Sequence, residues 1–449
     1  VRVLLDLTVE NFRSIYEPAS INLVATKEQA HRERCPQLVS RYRKTVNPVA
    51  ALFGANAAGK STFVRALHTL KWFVIDPPRS SESMPYQPFG LREGADREPT
   101  GFELLFSHDD FIYEYILRYD AHEVVEERLT KYFSNNEVDI YERVGSSFTF
   151  AQLDQVANRY ENEAVQARML LESVPPKTPL ASFASEANLT NFPEALQLHN
   201  LGAVTAFLRS VFVVPAGIMD RAQPESVSVG WKDVITQIDA GITGVELKEI
   251  PISALGVDAE HVQGLERILR GKEGTPLEIE LPAGRFALKL EDGEIKAERV
   301  TLQHVAGPGQ SRSLEWWDES DGTRSAARLI GLFSALALGI EMVLVVDELD
   351  RSFHTELSRA LIAGFLASSN KATRAQLVFT THDLLLMDPE MLRRDEIWVL
   401  EKDRFGQTRA SALSEFQGPR KVTDLRKSYL RGRFGGVPSI KPLEFNRGE

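Results

Sequence analysis

The sequence predicts an α/β chain: a mixed sheet built around a phosphate-binding loop, an antiparallel subdomain, and a mainly helical insertion that splits the sheet in sequence. Three observations predict it. A short apolar run at 49–53 leads into a glycine-rich loop and a helical stretch from Lys60 to about Phe73. An apolar stretch at 329–346 ends in Asp347-Glu348. Four β-branched and aromatic runs lie between them, separated by Asp, Ser, Asn or His, as in an antiparallel meander.

In chain order, residues 3–9 and 20–25 read as strands, then 49–53. After the helix, Pro77-Pro78 and the Ser/Pro-rich stretch 80–88 mark a surface loop. The meander strands are expected at 101–106, 111–119, 124–133 and 138–144. Near residue 150 the composition changes. Residues 152–174 have helical spacing, the proline-rich 175–179 breaks it, and 181–212 again reads as helical around Pro193. Residues 213–275 show little period. Strands return at 277–281, 285–290 and 295–300, and the last third reads helix, strand, helix, strand, helix, strand. No internal repeat and no sustained heptad run is found, which argues against a coiled-coil arm. The expected domains are 1–148, the N-terminal half of a head; 149–275, the mainly helical insertion; and 276–449, the C-terminal half.

Composition narrows the function. The 449 residues are 43 % apolar and 26 % charged, as in soluble globular proteins. A net charge of −11 gives no global basic footprint for nucleic acid. The single cysteine, Cys35, excludes a disulfide framework and a Cys-rich zinc site, and fits a reducing cytoplasm. The first residues are too short and polar for a secretory signal. The stretch 329–346 imitates a membrane span, but Gly331, Ser334, Gly339 and Glu341 interrupt it. It reads as a buried helix followed by a buried parallel strand, and no membrane partner is expected.

The chemistry sits in a few motifs. Gly54-Ala55-Asn56-Ala57-Ala58-Gly59-Lys60-Ser61, followed by Thr62, matches the P-loop pattern GxxxxGK[ST]. Its glycines let backbone N–H groups curl around phosphates, and the helix start adds a positive dipole end. Lys60 is expected on the β/γ-phosphates of ATP and Ser61 on Mg²⁺. Asp347, ending an apolar strand, is the second expected Mg²⁺ ligand. Glu348 is the expected base toward the attacking water. Strand 376–380 closes in Thr381-His382-Asp383, which puts His382 where it can contact the γ-phosphate. Ser320-Asp321-Gly322-Thr323 precedes a helix and makes a second anion-binding start. One nucleotide rarely needs both starts from one subunit, so the economical arrangement is a nucleotide sandwiched between two copies, in a dimer or a ring built from dimers.

Taken together these residues resemble ABC-type ATPases of the SMC-like and RecF-like branch. Asn11-Phe12-Arg13-Ser14 looks like that branch's N-terminal motif, and Asn56 like its P-loop form. Ser320, Gly322 and Thr323 fall at the signature, with Glu319 and Asp321 departing from it. Asp347-Glu348 matches Walker B, Leu349-Asp350 the D-loop and His382 the switch histidine. A narrower resemblance is to the single-chain AAA/ABC ATPases of bacterial phage-defence loci, the RloA type, to which the ATPase of the PARIS system (AriA) is related. It adds residues 347–354, 379–383, 393–398 and 429–435. In place of the family's Leu-His-Pro this chain has Phe353-His354-Thr355. The resemblance implies an ATPase that senses or scaffolds, beside a separate effector such as a TOPRIM-type nuclease, with a nucleic-acid or phage-protein trigger. It also implies that Arg13 reaches the nucleotide and that a glutamine loop exists, with Gln87 and Gln197 as candidates.

Between 420 and 433 stand Arg420, Lys421, Arg426, Lys427, Arg431 and Arg433 against Asp424, with Tyr429 and Phe434 interleaved. This is either a solvated face or a site for nucleic acid or an acidic partner; residues 31–44 form a second such cluster. The stretch after His382 is expected to be too short for a nuclease domain. ATP hydrolysis is therefore the chemistry expected of this chain. The use that the resemblance implies is antiviral sensing, with a RecF-like DNA-repair clamp and a transporter motor as alternatives.

Overall fold

The computed structural model describes residues 2–38, 40–156, 158–187, 189–216, 231–238, 241–270, 276–291, 293–351, 354–416 and 425–436. The chain divides into two compact units. The first comprises Val1–Pro215, Glu341–Glu348 and Ser369–Glu449, the second Ala216–Ile340 and Leu349–Ser368.

The first unit holds two sheets. One is antiparallel with seven strands, in the order Ala19–Asn22, Val3–Glu10, Thr100–His108, Phe111–Tyr119, Val124–Tyr132, Glu137–Val144 and Ser147–Thr149. Strand Val3–Glu10 is buried along its start and then at alternate residues, as a sheet with one covered face requires. The other sheet has six strands. Its order is Thr408–Ala412, Ile397–Lys402, Val49–Gly54, Gln376–Thr380, Val343–Val346 and Val211–Val214. All neighbours run parallel except the Thr408–Ala412 edge. Val49–Gly54 is buried at every residue, which is why it reads as a continuous apolar run rather than an alternating one.

Helix Lys60–Ile75 follows that strand and buries Phe63, Val64, Leu67, Leu70, Phe73 and Val74. Burial of each such side chain is worth about 1.5–3 kcal/mol. The helix stops at Asp76, because the residue before a proline is pushed out of the helical region. Helices Glu161–Glu172, Leu180–Glu186 and Ala203–Arg209 join the same core through Ala167, Leu171, Leu180, Val204, Phe207 and Leu208. One buried carboxylate starts the second of these helices. Glu127 accepts from Leu180 N (2.5 Å), Ala181 N (3.0 Å), Tyr115 OH (3.0 Å) and Tyr141 OH (2.7 Å).

The second unit carries an antiparallel sheet in the order Ile242–Ile250, Glu294–Gly307, Gly284–Glu291 and Leu277–Leu281, with Gln310–Glu315 also paired to Glu294–Gly307. Its small core joins Leu255, Leu269, Leu277, Phe286 and Leu288. Arg285 is held between Trp231 and Trp316, 4.5 and 4.6 Å from the ring centroids, and pairs with Glu278 at 2.8 Å. Trp316 opens the short turn that leads into helix Asp321–Ala337.

Three readings differ from the structure. Residues 211–214, which straddle the end of the helical reading at 212 and the start of the aperiodic 213–275, form an edge strand, because four β-branched or aromatic residues complete the sheet beside Val343–Val346. Residues 242–250 form a strand in a stretch read as part of a mainly helical insertion. Most of that strand is exposed, so no hydrophobic period marks it. The helix expected between 380 and 397 is a single turn, Leu384–Leu386. Asp383 caps Leu385 N and Pro389 cannot extend the turn. Among the described residues, no helix is long and apolar enough to cross a membrane.

Candidate functional site

The P-loop bridges strand Val49–Gly54 and helix Lys60–Ile75. Its two outer glycines are dictated by space. A Cβ at Gly54 would lie 2.4 Å from Leu400 O. One at Gly59, where φ is +103°, would lie 2.0 Å from Thr408 Oγ1. Thr408 Oγ1 in turn donates to Ala58 O (3.0 Å) and meets Ser14 Oγ at 2.8 Å. Ser14 Oγ also meets Thr62 Oγ1 at 2.8 Å. The Asn11–Ser14 segment therefore buttresses the loop from below.

Three parallel strands bring the polar groups to one place. Lys60 is buried, and its Nζ donates to Gly54 O (2.8 Å) and Ala55 O (3.0 Å) and stands 3.3 Å from His382 Nδ1. Ser61 Oγ donates to Asp347 Oδ1 at 3.0 Å. Thr380 Oγ1 donates to the same oxygen at 2.6 Å and accepts from Glu348 N at 2.7 Å. Glu348 has φ +53°, a left-handed conformation uncommon for a residue other than glycine. Val49–Gly54 supplies the P-loop, Val343–Val346 the two acids, and Gln376–Thr380, lying between them, Thr380 and the approach to His382. Ser61 and Asp347 form an oxygen-only pair of hydroxyl and carboxylate, the donor chemistry that suits a hard cation such as Mg²⁺. Asn56 and Ala57 are exposed at the tip of the loop, and Thr62 is buried.

Arg13 is exposed and oriented. Its Nη1 donates to Gln87 Oε1 at 2.6 Å and its N–H to Gln87 O at 2.8 Å. Partial burial and the neighbouring Arg65 cation lower its pKa. Asn11 holds the loop that carries Gln87, donating to Ala95 O and Glu98 O at 2.8 Å and accepting from Phe89 N. Gln197, the other glutamine-loop candidate, lies instead in a helical layer beside Gln152 and Asn200.

Ser320, Gly322, Thr323 and Asp350 belong to the second unit. Ser320 caps its helix, its Oγ accepting from Thr323 N at 3.0 Å. Glu319, where the resemblance would place a leucine, is buried and pairs with His304 at 2.7 Å. The His354 ring accepts from Glu356 N at 3.3 Å at a helix entry; Ser352 and Phe353 lie outside the described residues. Of the basic tail, Arg420, Lys421 and Asp424 also lie outside them, while Arg426, Lys427, Arg431 and Arg433 are exposed. Tyr429 and Phe434 are buried, Phe434 against Phe416, so neither offers a face for base stacking. In the 31–44 cluster, Arg34 is buried against Glu396 at 2.5 Å. The motif reading did not single out Thr380 or Thr408. The visible trace of the first is a polar residue closing an otherwise apolar run, Leu377-Val378-Phe379.

The family described as "AAA domain, putative AbiEii toxin, Type IV TA system" matches residues 49–160 and 271–388, together just over half of the chain. No curated protein sequence matches. Among solved structures, the chain is similar to the SMC head domain from Thermotoga maritima, with 14 % identity over 91 % of this chain and 98 % of that one and a TM-score of 0.36. It is also similar to the Smc head domain with a coiled coil and joint from Pyrococcus yayanosii, with 10 % identity over 96 % and 100 % and a TM-score of 0.39. The family match spans the P-loop, the segment around Ser320, the Asp347-Glu348 pair and His382 alike, and the chain belongs to this AAA-domain family.

Proposed function

We propose that the chain binds ATP with Mg²⁺, hydrolyses it, and uses the cycle to control a separate effector in bacterial anti-phage defence. The observation that carries the ATPase reading is the meeting of Lys60, Ser61, Asp347 and His382 within hydrogen-bonding reach at the ends of three neighbouring parallel strands. Lys60 and the P-loop amides, Gly54 to Ser61, hold the phosphates, with Thr62 continuing the helix start. Ser61 and Asp347 hold Mg²⁺, which when bound supplies positive charge against the charge that develops on the phosphates. Glu348 orients a water and takes its proton. His382 contacts the terminal phosphate, and Arg13, aimed by Gln87, adds a cation.

The second half of the site comes from another copy, through Ser320, Gly322, Thr323 and Asp350. ATP then closes two copies into a dimer, or into a ring built from dimers, and hydrolysis reopens it. Three things support a defence role: the resemblance to RloA-type ATPases, a family description that speaks of a toxin–antitoxin system, and the lack of any heptad arm in the sequence. The effector is a separate protein, such as a TOPRIM-type nuclease, released by a nucleic-acid or phage-protein trigger, and the setting is the cytoplasm. A RecF-like clamp is the second reading. The exposed cations Arg426, Lys427, Arg431 and Arg433 favour it; that reading requires ATP-dependent DNA binding with a steep salt dependence.

The test is the mass of the Glu348→Gln protein with ATP and Mg²⁺, alone and after capture from its native host. An ATP-stable oligomer carrying a nuclease-like protein supports the defence reading. An ATP-stable dimer carrying DNA and no protein supports the clamp. A monomer that binds no ATP removes both.

A further inference from the structure

Thr380 is placed to set the geometry of both acids at once. It is fully buried and ends the strand between the P-loop strand and the strand of the acids. Its Oγ1 lies 2.7 Å from Glu348 N and 2.6 Å from Asp347 Oδ1. The direction of this relay follows from the groups. An amide N–H can only donate, so the hydroxyl accepts from Glu348, and its one proton is left for the Asp347 carboxylate. Asp347 Oδ1 thus receives two hydroxyl donors, Thr380 from the adjacent strand and Ser61 from the P-loop helix. Glu348, meanwhile, holds a left-handed backbone, φ +53°, which persists only where its surroundings over-determine it. The Thr380 hydroxyl is one such constraint, because it fixes the amide at the centre of the turn.

We propose that Thr380 is a positioning residue for hydrolysis: one hydroxyl locks the metal-binding acid and the water-activating acid in register, and sets the backbone turn from which Glu348 works. The proposal rests on the ATPase reading above. Valine at this position would fill the same space and remove both hydrogen bonds.

The experiment compares Thr380→Val and Thr380→Ser with wild type in steady-state ATP turnover, nucleotide affinity without Mg²⁺, thermal unfolding, and a crystal structure of the valine variant. Removing an outer-shell partner typically costs about 10–100-fold in activity. The expected result is a fall of that size in kcat for Thr380→Val, with metal-free nucleotide affinity close to wild type and an unfolding temperature lower by a few degrees, since Glu348 N loses its partner. Glu348 is expected to leave the left-handed region in the valine structure. Thr380→Ser keeps the hydroxyl and should recover most of the loss. The proposal is overturned if Thr380→Val turns over like wild type, or if it loses affinity, stability and rate together without rescue by serine. A wild-type protein that does not hydrolyse Mg²⁺-ATP overturns the ATPase reading itself, and the proposal with it.

Discussion

Two helices of this chain begin at segments suited to phosphate, and they begin differently. Helix Lys60–Ile75 starts from Gly59 in a left-handed conformation, and no side chain caps it. Helix Asp321–Ala337 starts from Ser320 in an extended conformation, and the Ser320 hydroxyl accepts from Thr323 N. No side-chain cap occupies the first start, where Thr62 N donates to Gly59 O at 2.9 Å, and four donors at any helix start need partners. The second has already met part of that need. A start without a side-chain cap suits phosphate. The Ser320 turn holds its own shape, and in the two-copy site proposed above a phosphate would share Ser320 with Thr323. A third start shows the opposite extreme. At Leu180–Glu186 the buried Glu127 carboxylate takes the first two amides outright, which fits a structural role.

The comparison can be broken at each start. The largest effect belongs to Lys60→Ala. Loss of a cation aimed at the transferred phosphoryl group should cut ATP turnover by about 10³-fold or more and abolish nucleotide binding in a calorimetric titration. Retained binding would mean that the Lys60 cation is not needed to hold the nucleotide. Next comes Glu127→Leu, which strands two amides and two phenols. Removal of one partner from such a buried network costs about 3–5 kcal/mol, to be read as a lower denaturant midpoint. A loss under about 1 kcal/mol would show that this start is not held by the carboxylate.

A smaller effect concerns Asp6, in strand Val3–Glu10 beside the edge strand of the same antiparallel sheet. Burial raises its pKa from 3.8 to about 6, against hydrogen bonds from Thr8 and Asn22 that lower it. The folded pKa lies above the ordinary value, so the stability tied to the protonated form is complete below about pH 4 and lost as pH rises through about 6. Asp6→Asn should remove that loss and gain about 1–2 kcal/mol over wild type at pH 8 but little at pH 4. Equal unfolding curves at both values would contradict the assignment. Smallest is Ser320→Ala, which removes a cap worth about 1 kcal/mol. A much larger fall in unfolding temperature would show that Ser320 does more inside one chain than start a helix.

The P-loop, the Asp347-Glu348 pair and His382 were legible because each is a strand end followed at once by its polar residues. Local sequence places such groups at the edge of a sheet. The partners that fix them were not legible. Thr380 and Thr408 act across strands, and Ser14 acts from a segment distant in sequence; only the folded sheet brings these hydroxyls to the P-loop and to Asp347. The meander was legible from its spacing. Strand Val211–Val214 was not, because a four-residue apolar run after a helix has no period of its own. Ile242–Ile250, mostly exposed, lacked the alternation that marks a half-buried strand. Residues 393–398 carry a buried ion-pair network, Arg393 with Asp395 and Arg34 with Glu396, and their sequence pattern is met by this structural role.

The central claim is that the two helix starts complete one site between two copies. It is tested most directly by mixing Lys60→Ala protein with Ser320→Arg protein. Each alone should be without ATP turnover, the first for want of phosphate binding and the second with binding intact. The mixture should recover turnover, because one assembled pair contains one site with an intact P-loop facing an intact Ser320 turn. If mixed assemblies form by native mass measurement and turnover stays absent, the two starts do not share a nucleotide.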